Sequence, residues 1–217
     1  MSLKLFGYWR SSAAWRVRWA LNLKGLSCVH HFVNLKTGEQ KSPAHLKVNP
    51  SGRVPMLLLE DGTRLNQSLG IISYLDSQVF KKATKIIPED PLNRARAFEL
   101  WEVIAADTHP LQNISVISRY SDDPQKRVEW SAFYIQRGLS VFDETLTRVA
   151  LAKDFSLGNS PSLPDLALIP QIYNALRFGL DVQGTFPRLW KIYQNALQTE
   201  ECLVASPEKQ QDAVEGV

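Results

Sequence analysis

The hydropathy pattern of this 217-residue chain changes character once, near Pro88, and that change limits its fold more than any other feature. Ahead of it, short apolar runs with the length and flanking residues of strands alternate with helical spacing. Behind it, strand signals vanish. Residues 3–7 read as a strand, 12–24 as a helix and 27–33 as a second strand. A loop and a short helical stretch lead to residue 48. Residues 56–59 and 63–65 form two more strands joined at Glu60-Asp61-Gly62, a good hairpin turn, and a helix from 67 to about 79 closes the unit. The order is βαβ, then ββα, on one small sheet. Helical apolar spacing then recurs over 93–118, 124–151, 164–178 and 187–197, and the polar residues from about 205 are expected to fray. The expected organisation is an α/β domain over 1–80, a linker over 81–91 and an all-α domain over 92–217.

Composition mainly excludes. A net charge of +3 comes from a small surplus of Lys and Arg that forms no cluster or stripe, so nucleic acid is not an expected partner. No apolar run approaches the roughly 18 residues that span a bilayer, and Met-Ser-Leu-Lys-Leu-Phe-Gly lacks signal-peptide organisation. No membrane association is expected, and a cytoplasmic location is. Cys28 and Cys202 are far apart and belong to no C-x-x-C pattern. That argues for a reducing compartment and against a disulfide framework, a structural zinc site or a thioredoxin-type redox pair. His30, His31, His45 and His109 show no metal-ligand spacing, so no metal is expected.

The chemistry concentrates where the first strand turns into the first helix. In Arg10-Ser11-Ser12-Ala13-Ala14-Trp15-Arg16-Val17-Arg18, two hydroxyls sit beside the unpaired N–H groups of a helix start, which favour an anion. The plain alternative is a serine N-cap. Asn66-Gln67-Ser68 precedes the next helix: Ser68 either caps it or, with the Gln67 amide, holds a carboxylate and an α-amino group. Ser162-Leu-Pro-Asp165 reads as a capping box with a folding role. Arg177, near a helix end with Gly179 as a C-cap, either answers the helix dipole or clamps a substrate carboxylate. Arg10 is a second such candidate.

Taken in order, these parts resemble the glutathione transferases, and Ser-Ser-x-x-Trp-Arg-Val-Arg is similar to the motif of their zeta class, the maleylacetoacetate isomerases. The resemblance extends through Asn49-Pro50, Val54-Pro55, Gln67-Ser68, His109-Pro-Leu-Gln-Asn113 and Arg177-Phe178, and so covers nearly the whole chain. It implies a thioredoxin-like N-terminal domain followed by an all-helical one, with glutathione as cofactor and a homodimer as the assembly. Val54-Pro55 is then cis, turning the Val54 backbone toward an extended peptide. Ser11, Ser12 and the Ala13 backbone would lie at the thiol, with Trp15 and Arg16 shaping the cofactor-binding turn. Gln40 and Val54 would contact the middle and glycyl parts, and Gln67 and Ser68 the γ-glutamyl end. Gln112 and Asn113 would complete the cofactor site, unless they are only a segment kinked by Pro110. Arg177 and Arg10 would anchor the carboxylates of a dicarboxylic cis-enone.

The implied reaction is the isomerisation of maleylacetoacetate to fumarylacetoacetate in tyrosine and phenylalanine degradation, by thiolate addition, bond rotation and elimination. The family motif commonly reads Ser-Ser-Cys where this chain has Ala13, so the thiol must be that of glutathione. Maleylpyruvate isomerisation, glutathione transfer to α-halo acids and a non-catalytic binding module of the same fold are the competing readings.

Overall fold

Alternation in β1 (Lys4–Gly7) buries Leu5 and Gly7 and leaves Lys4 and Phe6 partly exposed, the period of a strand covered mainly on one face. In the computed structural model, which describes residues 3–77 and 84–213, this strand lies inside a four-stranded sheet of order β2-β1-β3-β4. The strand β2 (Val29–Phe32) is parallel to β1, and β3 (Met56–Leu58) is antiparallel to it. β4 (Arg64–Asn66) pairs antiparallel with β3 through the hairpin at Glu60-Asp61-Gly62. The expected βαβ–ββα order is therefore observed.

Helix α1 (Ser12–Leu23) buries Trp15, Val17, Trp19 and Ala20, while the short α2 (Pro43–Val48) is capped by Ser42. α3 (Ser68–Leu75) buries Ile71, Ile72 and Leu75. Lys24, at the end of α1, reaches Asp76, at the end of α3, with 3.1 Å between Nζ and Oδ1, and both side chains are almost fully buried. Asp76 Oδ1 also accepts from Ile86 N–H, and Lys24 donates to the Thr84 carbonyl. This pair fixes the ends of both helices and leaves no uncompensated buried charge.

The expected helix over 93–118 is broken. α4 (Pro91–Ala105) stops, a 3₁₀ turn spans His109–Gln112, and α5 (Ile114–Tyr120) begins anew. Pro110 cannot donate, Thr108 Oγ donates to the Val103 carbonyl at 2.7 Å, and Trp130 Nε1 donates to the Leu111 carbonyl at 2.9 Å. α6 (Pro124–Val149) passes so close that a Cβ on Gly138 would meet Thr108 Oγ at 2.0 Å. α7 (Leu163–Arg177) starts at the expected capping box: Ser162 N–H and Oγ–H both donate to Asp165 Oδ2, and Ser156 N–H donates to Oδ1. Burial raises the Asp165 carboxyl above its ordinary range against those hydrogen bonds. α7 ends in a Schellman turn with Gly179 at φ 78°.

α8 (Val182–Thr185), α9 (Pro187–Leu197) and α10 (Glu200–Ala205) follow; of these, the sequence pattern indicated α9 alone. The chain divides into two units, Met1–Ile86 with Thr199–Val217, and Ile87–Gln198. Within the stretch expected to fray from about 205, Ala205 and Asp212 take hydrogen bonds from Arg18 and Trp9, and α10 just ahead of it packs on α1. In this division the last segment groups with the first unit. The expected end of α3 and start of the linker fall partly outside the described residues.

Candidate active site

Strand register brings the N-terminal candidates to one end of the sheet. Gly7 pairs with Phe32, Phe6 lies opposite Met56, and Met56 lies opposite Asn66. The segments that leave the sheet at that end are therefore Tyr8 to Ser12, Val33 toward Gln40, Val54-Pro55 and Gln67-Ser68. Two of them feed helices at the C-terminal ends of strands β1 and β4, the usual place for ligands in open α/β sheets.

Ser11 is the N-cap of α1, its Oγ accepting from Ala14 N–H at 3.2 Å. Its hydroxyl hydrogen has no acceptor among the described residues. The Ser12 and Ala13 N–H groups belong to the first turn of α1, at the positive end of its dipole. The first turn of α1 contains no acidic residue, so nothing there offsets the positive end of the dipole. Ser12 is buried, and Ser11 and Ala13 are partly exposed. Trp15 and Arg16 are buried in the same helix. Arg10 lies with its guanidinium carbon 5.4 Å from the Trp9 ring centroid.

A residue the sequence reading passed over holds this turn. Arg18 Nη1 and Nη2 donate to the Tyr8 and Trp9 carbonyls at 3.4 and 3.0 Å, and Nε donates to the Ala205 carbonyl at 2.9 Å. Burial lowers its pKa to about 9, so it stays cationic at neutral pH. The signal was available: a second Arg between Val17 and Trp19, on a helix with apolar residues on every side, must be buried and bonded.

The loop before Val54 is held in the same manner. Asn49 Nδ2 donates to the Arg53 carbonyl at 2.7 Å, the His45 ring lies 3.2 Å from the same oxygen, and Ser51 Oγ bonds Asn49 Oδ1. These contacts set the backbone just before Val54, and the Val54-Pro55 bond is cis. Gln67, the residue before α3, has φ 67° and no side-chain capping bond to the helix. For a non-glycine residue this costs about 1–3 kcal/mol, a feature that clusters at ligand sites. Ser68 is buried at the first helical position. The Gln40 Oε1 and Asn66 Oδ1 atoms are buried without a hydrogen-bond partner among the described residues. Two orphaned acceptors call for donors from a ligand.

In the helical unit, Gln112 and Arg177 join one polar network. Gln112 Nε2 donates to Gln171 Oε1 at 2.7 Å, Asn174 Nδ2 to Gln112 Oε1 at 3.3 Å, and Arg177 Nη1 to Asn174 Oδ1 at 3.4 Å. Asn113 stands at the start of α5 and makes no side-chain capping bond to it. The sequence reading missed Gln171 and Asn174, although 171, 174 and 177 share one face of an otherwise apolar helix.

Neither cysteine is an activated nucleophile. Cys28, 3.4 Å from His30 Nε2, is pushed up to about 11 by burial, and Cys202 is fully buried. Among the described residues no helix is long and apolar enough to cross a membrane, and no group of three or more His, Cys, Asp or Glu side chains could hold a metal ion.

Residues 10–78 match the family described as the glutathione S-transferase N-terminal domain. The chain is 40% identical to a maleylacetoacetate isomerase of Rhizobium meliloti (strain 1021) over 182 residues, 82% of this chain and 84% of that one. A crystal structure of maleylacetoacetate isomerase from Anaeromyxobacter dehalogenans 2CP-1 with glutathione bound in its active site superposes with a TM-score of 0.87. The two are 38% identical, with 98% of each chain covered. A bacterial zeta-class maleylpyruvate isomerase, in its holo structure, gives a TM-score of 0.91 at 28% identity, covering 97% of this chain and 100% of that one.

Proposed function

The chain belongs to the zeta class of glutathione S-transferases, the family of the maleylacetoacetate isomerases, and from that membership we propose that it converts maleylacetoacetate to fumarylacetoacetate with glutathione as an unconsumed cofactor. The observation that carries the reading is the opening of α1, where Ser11 and Ser12 stand at a helix start whose first turn contains no acidic residue. The site residues fit the tripeptide. The orphaned Gln40 and Asn66 oxygens accept its N–H donors, the uncapped start of α3 at Gln67-Ser68 takes its γ-glutamyl carboxylate, and the Val54 backbone runs beside its cysteinyl part. When bound, glutathione supplies a thiolate that adds to a ketone-conjugated cis double bond and leaves after that bond has rotated.

The protein's task is to hold the sulfur's charge and the substrate's ends. A free thiol titrates near about 8.5, and lowering that to about 6.5 requires about 2.7 kcal/mol of preferential thiolate stabilisation. A charge-assisted hydrogen bond contributes about 1.5–3 kcal/mol and a helix N-terminus about 0.3–1. One hydroxyl from Ser11 or Ser12, with the Ser12 and Ala13 N–H groups, is therefore sufficient. No protein base is required. Trp15 and Arg16 keep the turn in shape. Arg177 and Arg10 anchor the carboxylates, a geometry for which the guanidinium fork is suited. Gln112, Asn113 and Arg177 are the helical unit's share of the polar machinery. The reading extends to a cytoplasmic homodimer acting in tyrosine and phenylalanine breakdown.

The test is fumarylacetoacetate formation from maleylacetoacetate by the purified protein, with and without glutathione. Conversion that requires glutathione and leaves its total unchanged is expected. Glutathione retention without conversion overturns the assignment. The likeness to a maleylpyruvate isomerase favours that reaction as the second reading, and a higher kcat/KM for maleylpyruvate in a parallel assay decides for it.

A further inference from the structure

The turn that presents Ser11 closes on itself through Ser11 N–H, which donates to the Tyr8 carbonyl at 3.0 Å. Two side chains of opposite charge hold it from outside. Arg18 Nη1 donates to the same Tyr8 carbonyl and Nη2 to the Trp9 carbonyl, at 3.4 and 3.0 Å. Asp212 Oδ2 accepts from Trp9 N–H at 3.0 Å. The peptide unit between Tyr8 and Trp9 is thus gripped at its oxygen by a cation and at its N–H by an anion. The unit between Trp9 and Arg10 is held at its oxygen, and Ser11 follows directly. Tyr8 and Trp9 are buried, so the turn cannot exchange these partners for others without cost.

The two side chains reach the turn from opposite ends of the first unit's sequence. Arg18 stands on α1, the helix that the turn leads into. Asp212 belongs to the last segment, which also takes Arg18 Nε at the Ala205 carbonyl. The Asp212 carboxylate is not saturated: Oδ1 is buried without a hydrogen-bond partner among the described residues. Its charge has a use apart from the bond at Oδ2. Burial lowers the pKa of Arg18 to about 9, and the Asp212 charge acts against that burial. Bond and charge are therefore separable contributions, the first to the direction of the turn and the second to the comfort of a buried cation.

We propose that Asp212 is a positioning residue for the thiol site: by holding Trp9 N–H it aims the turn that carries Ser11 and Ser12 toward the glutathione sulfur. The proposal rests on the start of α1 as the thiol site and adds the last segment of the chain to its apparatus. Asp212 acts through the backbone. Its own negative charge opposes a thiolate, so aim and charge predict opposite signs.

Thiolate absorbance of the bound glutathione against pH tests this on the full chain, beside urea unfolding. Asp212→Ala removes the bond and is expected to raise the thiol pKa by about half a unit to one unit, the worth of one net hydrogen bond. Asp212→Asn keeps an acceptor for Trp9 N–H and loses the charge. Its thiol pKa is expected to be unchanged or slightly lower, with a lower urea midpoint because Arg18 has lost its counter-charge. Asn22→Ala cuts the bond from α1 to the Glu201 carbonyl and loosens the last segment away from the turn, so it should leave the thiol pKa unchanged. A thiol pKa that falls or stays in Asp212→Ala overturns the proposal, as do equal rises in Asp212→Ala and Asn22→Ala. Should Asp212→Ala fail to fold, Asp212→Glu keeps the charge and displaces the acceptor by one methylene. A raised thiol pKa there supports the aim, and an unchanged one overturns it. If Ser11→Ala and Ser12→Ala both leave the thiol pKa at its wild-type value, the thiol site is misplaced and the proposal falls with it. A shift in either serine variant with none at Asp212 overturns the proposal alone.

Discussion

Two of the serine-capped helices in this protein, α1 and α7, use that serine in opposite ways. Before α7, Ser162 is buried and gives both its N–H and its O–H to Asp165 Oδ2, three residues on. Before α1, Ser11 is partly exposed, and the residue three positions on is Ala14, which offers only its N–H. The carboxylate makes the difference. At α7 it accepts from the helix start and from Ser156 N–H; at α1 the first turn holds no acidic residue to offset the positive dipole end. On the proposed reading, one residue type in one local motif serves as a structural joint in the first case and as an anion site in the second.

The contrast can be broken most decisively at Asp165. Asp165→Ala strands the Ser156 and Ser162 N–H groups in the interior and is expected to cost about 3–5 kcal/mol of stability, with kcat per folded molecule unchanged. Urea unfolding beside active-site titration checks both halves; a stability near wild type would mean the closed box is not a joint. At α1 the effect should invert. Ser11→Ala or Ser12→Ala, whichever hydroxyl meets the sulfur, is expected to lose about 1.5–3 kcal/mol of thiolate stabilisation. The thiol pKa, followed by thiolate absorbance against pH, would then rise by about one to two units. Stability should fall by only about 1 kcal/mol if the cap is the one removed. Both variants retaining full thiolate formation would end the assignment of these serines. The smallest effect comes from placing a carboxylate in the first turn of α1, one position short of the place it holds in α7. Ala13→Asp should favour the helix by about 0.3–1 kcal/mol through the dipole while weakening thiolate formation. Gains in both stability and thiolate formation would contradict the reading.

Much of this was legible in the sequence because it depends on local chemistry. The order of the first unit followed from strand lengths and one hairpin turn, and the capping box from four residues. The candidates around Ser11, Val54 and Gln67 came from motif order and were brought to one sheet end by register. What escaped depends on distant partners. The break after Ala105 needed Pro110, which was seen, and also Thr108 fitted against Gly138, which was not. Gln171 and Asn174 looked like stray polar residues, since their partner Gln112 lies about 60 positions earlier. α10 was missed because its six residues are too few to show a period, and its reason for being helical is the surface of α1.

The joining of that last segment to the first also governs the order in which the molecule can be completed. Trp9 N–H is received by Asp212, Arg18 Nε by Ala205 and Asn22 by Glu201, across sequence separations of 203, 187 and 179 residues. During synthesis, the turn that presents Ser11 emerges 187 to 203 residues ahead of the partners that hold it. A nascent chain therefore carries that turn unfinished until those partners are made, and the same non-local closures are those that slow folding most.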